Sequence, residues 1–233
     1  MNRPRHIHQS TLGPDRHFWA FVLAFYAAWV LRVVLLMPVD YAIESGWLRQ
    51  CWSQGLRISL WVLPVIVFLR WNDGVRPVAY LRLNRFPRGR ALALGMAVMG
   101  AFLAACAASS LLLQGGGLHK LSTMTAADHA ALLLGMFIIA FAEELLFRGF
   151  IFQRLREGHS FQRANFLTAL LFLGIHIPGW LYIQGPHWGL LPLGGSILFA
   201  GWIFGLMMEV TGSLWPPILL HLLNNVLAGL LQG

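Results

Sequence analysis

Three short stretches of this sequence put ionisable side chains among apolar ones. Residues 140–149 read AFAEELLFRG, residues 172–176 read FLGIH, and residues 221–225 read HLLNN. A charge deep in an apolar helix is costly, so each stretch is a candidate functional site. On a helix, Glu144 and Arg148 are four apart and share a face, which predicts an ion pair. Glu143 then points about 100° away, with no partner of its own. Two adjacent carboxylates in a low-dielectric medium resist ionising together. With Glu144 paired, Glu143 is the group suited to proton exchange as a general base. His221 and Asn225 are also four apart and share a face. Glu209, just before Thr211-Gly212 at the end of an apolar run, is accounted for by a water-facing helix terminus.

Spacing relates these groups to one another. Glu143 and His176 are 33 residues apart, with the midpoint near His159-Ser160 in the polar run REGHSFQR. Two antiparallel helices folded there carry both residues to nearly equal height, roughly 24 Å above the turn. His221 lies roughly 12 Å into the last apolar run. These heights agree if the hairpin protrudes by about two helical turns. The remaining histidines (His6, His8 and His17 in the N-terminal tail, and His119, His129, His159 and His187 in or beside connections) read as solvated.

The elements that must position this chemistry follow from composition. The chain has 233 residues, 58% hydrophobic and 11% charged, with a mean hydropathy of +0.65. Soluble domains carry about 25% charged residues, so a soluble globule and a disordered chain are both excluded. An all-α, polytopic transmembrane helix bundle is expected, since about 20 apolar residues are needed per span. Seven spans are predicted, near 17–37, 56–70, 91–113, 129–153, 161–178, 192–209 and 213–231. The second, short and bearing Pro64, is the least regular. The first follows Arg3, Arg5 and Arg16 like a signal peptide, but no small-residue cleavage site comes after it and it reads as a retained helix. Arg32 within it has no partner evident in the sequence.

The formal charge of +8 comes from 16 Arg and 1 Lys. Most of them lie in the N-terminal tail, the 70–90 segment and the 154–163 connection; Arg49, Arg57 and Lys120 fall in the opposite set. This distribution places the N-terminus in the cytoplasm and the C-terminus outside, and it argues against nucleic acid as a partner. The 70–90 segment reads as a solvated loop against lipid headgroups. It separates a two-helix N-terminal part from the rest; residues 1–128 and 129–233 form two regions, the second holding all the candidate residues. Cys51 reads as a loop residue and Cys106 as mid-span, which supports neither a disulfide framework nor a thiolate metal site. No repeat or low-complexity tract is present.

At its polar residues the sequence resembles the CAAX-protease and bacteriocin-processing family of intramembrane proteases, which includes the Rce1-type prenyl endopeptidases. Glu143-Glu144 with Arg148 match its Glu-Glu-x-x-x-Arg motif, Phe172 and His176 its Phe-x-x-x-His motif, and His221 and Asn225 its His-x-x-x-Asn motif. The likeness covers about residues 129–228. It implies peptide-bond hydrolysis in a membrane cavity open to the cytoplasm, in a bacterial plasma membrane. Glu143 and His176 would activate the water, His221 and Asn225 would stabilise the oxyanion, and Glu144 and Arg148 would position the site. The implied partner is a membrane-associated protein or peptide, whether prenylated, a leader or a sorting tail. A metal-free mechanism is preferred, because no His-Glu-x-x-His pair presents two ligands on one helix. The alternative is one zinc ion held by Glu143, His176 and His221. Two other readings are a catalytically silent scaffold and a proton-relaying transporter; against the latter, no duplicated half with broken helices is found.

Overall fold

The computed structural model describes residues 13–113 and 126–231; Arg3, Arg5, His6, His8, His119 and Lys120 lie outside the described residues. Among the described residues seven long helices follow one another. They are α1 (Arg16–Ala42), α2 (Gly46–Asn72), α3 (Gly89–Leu113), α4 (Ala126–Glu144, Leu145–Phe152 and Gln153–Gly158 in one run), α5 (Phe161–Gln184), α6 (Leu190–Thr211) and α7 (Trp215–Leu231). No strand occurs among the described residues. Each expected span is a helix, and the chain is an all-α polytopic bundle. By length and composition α1, α2, α4, α5 and α6 are able to cross a membrane. α7 has 17 residues, and the described apolar stretch of α3 is Gly89–Ala105.

α2 departs most from expectation. It starts at Gly46, where Ser45 caps the helix by accepting from the Leu48 N–H, about ten residues before its apolar run. Gln50, Gln54 and Arg57, spaced four and three apart, form one face turned toward α4. There a Cβ on Gly135 would stand 3.1 Å from Gln50 Oε1. Cys51 is therefore an exposed helical residue, not a loop residue, and Arg57 belongs to a span rather than to a connection. Pro64 is accommodated by a π-helical turn at Ile58–Val62, and Pro38 by one at Arg32–Leu36. The wider turn relieves the missing N–H and the ring clash. Arg32 does have a partner: it pairs with Asp40 on the same helix and lies over the Trp29 ring.

Lipid offers helices no hydrophobic incentive to associate, so close packing and buried hydrogen bonds must hold the bundle. Edge-to-face aromatic rings run through its centre. Phe150 of α4 meets Phe21 of α1 and Phe68 of α2, with centroids 5.1 and 5.3 Å apart. Trp61 of α2 contacts Trp29 and Phe147, and Phe147 contacts Phe172 of α5. α5 and α6 approach through small residues, with the carboxamide of Asn165 filling the space over Gly205 and donating to the Trp202 carbonyl at 2.9 Å. Large apolar side chains face outward, including Leu23, Trp71 and Trp188.

The 70–90 segment is not a free loop. Leu81 is fully buried against Gly149, where a Cβ would come within 2.9 Å of the leucine. Gln153 donates to the Tyr80 carbonyl at 2.8 Å, Trp215 Nε1 to the Leu83 carbonyl at 2.8 Å, and Ser213 to the Arg85 carbonyl. Arg154 pairs with Asp73. The segment thus joins the end of α4 to the start of α7. His129, expected to be solvated, is half-buried inside α4, and His159 bonds the Leu155 carbonyl at 3.2 Å. Glu209 fits its terminal position, paired with Arg156 at 2.9 Å.

Candidate active site

A line of charged and polar groups crosses the interior of the bundle. Arg57 of α2 donates to Glu143 Oε1 of α4 at 2.8 Å. The other oxygen, Glu143 Oε2, stands 3.8 Å from Nε2 of His221 on α7. His221 Nδ1 is 2.8 Å from Glu144 Oε1, which also accepts from Arg148 at 3.0 Å. Arg148 ends the line by donating to the Gly201 carbonyl of α6 at 2.8 Å. Glu144 and Arg148 are completely buried, and Glu143 and His221 nearly so. Two guanidinium and two carboxylate groups balance, and each charge has an opposite partner within hydrogen-bond reach. Without that pairing, desolvation would cost several kcal/mol per ion, on the order given by Born estimates after relaxation.

Local sequence accounts for the placement. Glu143 and Glu144 end the α-helical part of α4, and a π-helical stretch, Leu145–Phe152, follows directly; π segments recur at functional sites. Arg57 likewise stands immediately before the π turn of α2, and its guanidinium lies over the Trp29 and Trp61 rings at 5.7 and 5.4 Å. Arg148 lies over Phe172 and Phe204 at 4.5 and 5.2 Å, which cushions a buried cation. Gly201 lets the backbone come this close: a Cβ there would meet Phe172 at 3.2 Å and Arg148 at 3.3 Å.

His176 begins the second half of α5, after a break at Ile175, with Pro178 two residues on. The residues flanking the break are tied to α1, Trp29 Nε1 donating to the Ile175 carbonyl at 2.8 Å and Tyr26 donating to the Leu171 carbonyl. His176 Nδ1 is 2.9 Å from the Phe172 carbonyl. Donation there leaves Nε2 with its lone pair. The Phe172 ring touches both imidazoles, its centroid 5.1 Å from His176 and 5.8 Å from His221. Asn225, one turn beyond His221, is half-buried.

The predicted Glu144–Arg148 ion pair is present, and Glu143 does approach His221. Two expectations need correction. Glu143 is not unpartnered, because Arg57 holds one of its oxygens; and Glu144 serves His221 as well as Arg148. Arg57 is the residue that sequence reasoning missed. Its signal was the Gln50–Gln54–Arg57 face, of which only Arg57 falls within the span drawn from hydropathy at 56–70. Among the described residues no group of three or more His, Cys, Asp or Glu side chains is arranged to hold a metal ion. The Arg57 guanidinium also sets a positive charge against the carboxylate that a dication would need.

Comparison with known proteins bears on this constellation. Residues 125–227 match the family model described as "Type II CAAX prenyl endopeptidase Rce1-like". Over these residues the chain is similar to the CAAX-protease family. No curated protein and no solved structure matches the chain. The matched stretch is under half of the sequence, yet it contains Glu143, Glu144, Arg148, His176, His221 and Asn225, and it supports a CAAX-protease-type peptidase in the membrane. Arg57, Tyr26 and Trp29, which touch the site from α1 and α2, lie outside it.

Proposed function

We propose that this protein is an intramembrane endopeptidase that hydrolyses a peptide bond of a membrane-associated protein or peptide, with Glu143 as general base and no metal ion required. The approach of Glu143 Oε2 to His221 Nε2 at 3.8 Å, from two separate helices of a Rce1-like domain, carries this reading. That gap is too long for a direct hydrogen bond and suits a shared water. With Oε1 engaged by Arg57, Oε2 is the oxygen free to take the proton of that water, and the lone pair on His176 Nε2 is available to orient it. Attack on the scissile carbonyl creates an oxyanion. His221, anchored to Glu144 through Nδ1, turns Nε2 toward that oxygen, with the Asn225 amide as second donor. Glu143 then returns its proton to the leaving amine.

The test is a comparison of membrane-protein termini between cells carrying the wild type and cells carrying Glu143→Ala at equal membrane abundance. A protease yields new termini that vanish in the variant. A silent scaffold yields identical termini in both and would overturn the proposal. The same termini name the substrate and decide between cleavage of a prenylated tail, a leader and a sorting tail.

A further inference from the structure

On the flank of the bundle formed by α3, α6 and α7 lies a groove of about 410 Å³ with an almost wholly apolar lining. One wall is α3, where Leu92, Met96 and Met99 recur over two helical turns, roughly 10 Å along the axis. Met207 and Thr211 of α6 and Leu219 of α7 form the others. The upper end is closed by Phe86 and Trp215, whose rings stack with centroids 6.2 Å apart, Trp215 being fixed by its bond to the Leu83 carbonyl. The groove therefore runs along the helices, away from the basic segment, in the direction of a lipid chain. Methionine suits such a lining because it adapts to a flexible occupant.

The charge at the closed end is one-sided. Arg85, Arg88 and Arg90 flank Phe86, Pro87 and the first turn of α3, and all three are exposed. No ion pair among the described residues uses them, and no Asp or Glu occurs between Asp73 and Asp128. Three unpaired guanidinium groups above an apolar channel complement a phosphate above an acyl chain. The groove lies on the far side of α7 from the candidate active site, since Leu219 and His221 are about 200° apart around the helix. A chain seated here is separated from the scissile bond by α7, which argues against the substrate's own anchor as the occupant.

We infer that this groove binds one anionic phospholipid from the leaflet on the side of the 70–90 segment, its acyl chain between α3, α6 and α7 and its phosphate on Arg85, Arg88 and Arg90. The experiment is native mass spectrometry of the full chain in mild detergent with equimolar phosphatidylglycerol and phosphatidylcholine. The wild type retains phosphatidylglycerol in preference, by about tenfold or more. Arg85→Ala/Arg88→Ala/Arg90→Ala abolishes the preference, Met96→Trp, which fills the groove, reduces retention of both lipids, and Arg70→Ala/Arg76→Ala on the same segment changes nothing. The alanine substitutions remove exposed side chains, so a thermal melt close to wild type accompanies them. Equal retention of the two lipids by the wild type overturns the assignment, as does an equal effect of the Arg70/Arg76 pair. Absence of retained lipid, together with slower cleavage of a lipidated substrate by Met96→Trp, assigns the groove to the substrate and overturns it as well.

Discussion

Arg57 and Glu143 are bound to each other where neither is stable by itself. Removing one member of a buried pair strands the other charge, at a cost of about 3–5 kcal/mol, somewhat less here because Arg57 retains partial exposure. Arg57→Ala is therefore expected to lower the thermal midpoint substantially, and Arg57→Ala/Glu143→Gln to recover most of that loss while remaining inactive; a double-mutant cycle on thermal stability and peptide cleavage reads both. His176→Ala is expected to reduce the cleavage rate by about a hundredfold or more, the contribution typical of a positioned acid–base group, with little change in stability. At this scale the sequence was legible where spacing along one helix decides the neighbour, as for Glu144 with Arg148. It was not legible where the partner comes from a distant element. His221 on Glu144 and Arg57 on Glu143 depend on how α2, α4 and α7 rotate about their axes, which hydropathy does not encode.

Among the elements, α5 and α6 are held at a distance set by Gly201. Gly201→Val is expected to push Phe172 and the Arg148 guanidinium apart, costing about 1–3 kcal/mol as overpacking does, and to lower activity through displacement of Arg148 from the Gly201 carbonyl. Thermal midpoint and cleavage rate of the purified variant check this, and Gly205→Ala, whose Cβ would collide with Asn165, is expected to be harmful to stability for the same reason. α1 supplies a pH-dependent term outside the bilayer. The Phe18 N–H bonds the Asp15 carboxylate at 2.9 Å and holds its pKa below the ordinary 3.8. A depressed carboxylate stabilises the fold above its unfolded value and loses that contribution as pH falls through the lowered one. Asp15→Ala is thus expected to cost about 1 kcal/mol near neutral pH and progressively less toward acid, while Asp15→Asn keeps the cap and flattens the pH dependence, as thermal melts across pH would read. The existence of seven helices was legible from apolar length. The early start of α2 was not, because the Gln50–Gln54–Arg57 face is polar and reads as a connection until α4 is present to cover it.

Across the whole molecule, the segment matched to the CAAX-protease family is incomplete as a site. Arg57 comes from α2, and the carbonyls flanking the α5 break are tied down by Tyr26 and Trp29 of α1. The aromatic rings around Phe150 and Trp61 bind the same helices together. The docking of residues 70–90 was hard to see in the sequence because three of its anchors are the backbone carbonyls of Tyr80, Leu83 and Arg85, which any residues there would offer. A chain reduced to residues 125–233 is expected to be inactive in membranes even when inserted, which cleavage assays on the isolated piece would establish. The central claim, that a carboxylate on α4 activates water for peptide hydrolysis, is tested most directly by the cleavage rate of the purified, reconstituted protein after exhaustive chelation, wild type beside Glu143→Gln. The account predicts undiminished activity in the chelated wild type and a loss of about a hundredfold or more in Glu143→Gln. Activity in Glu143→Gln equal to wild type would contradict it, and so would a chelated wild type that regains cleavage only when zinc is restored.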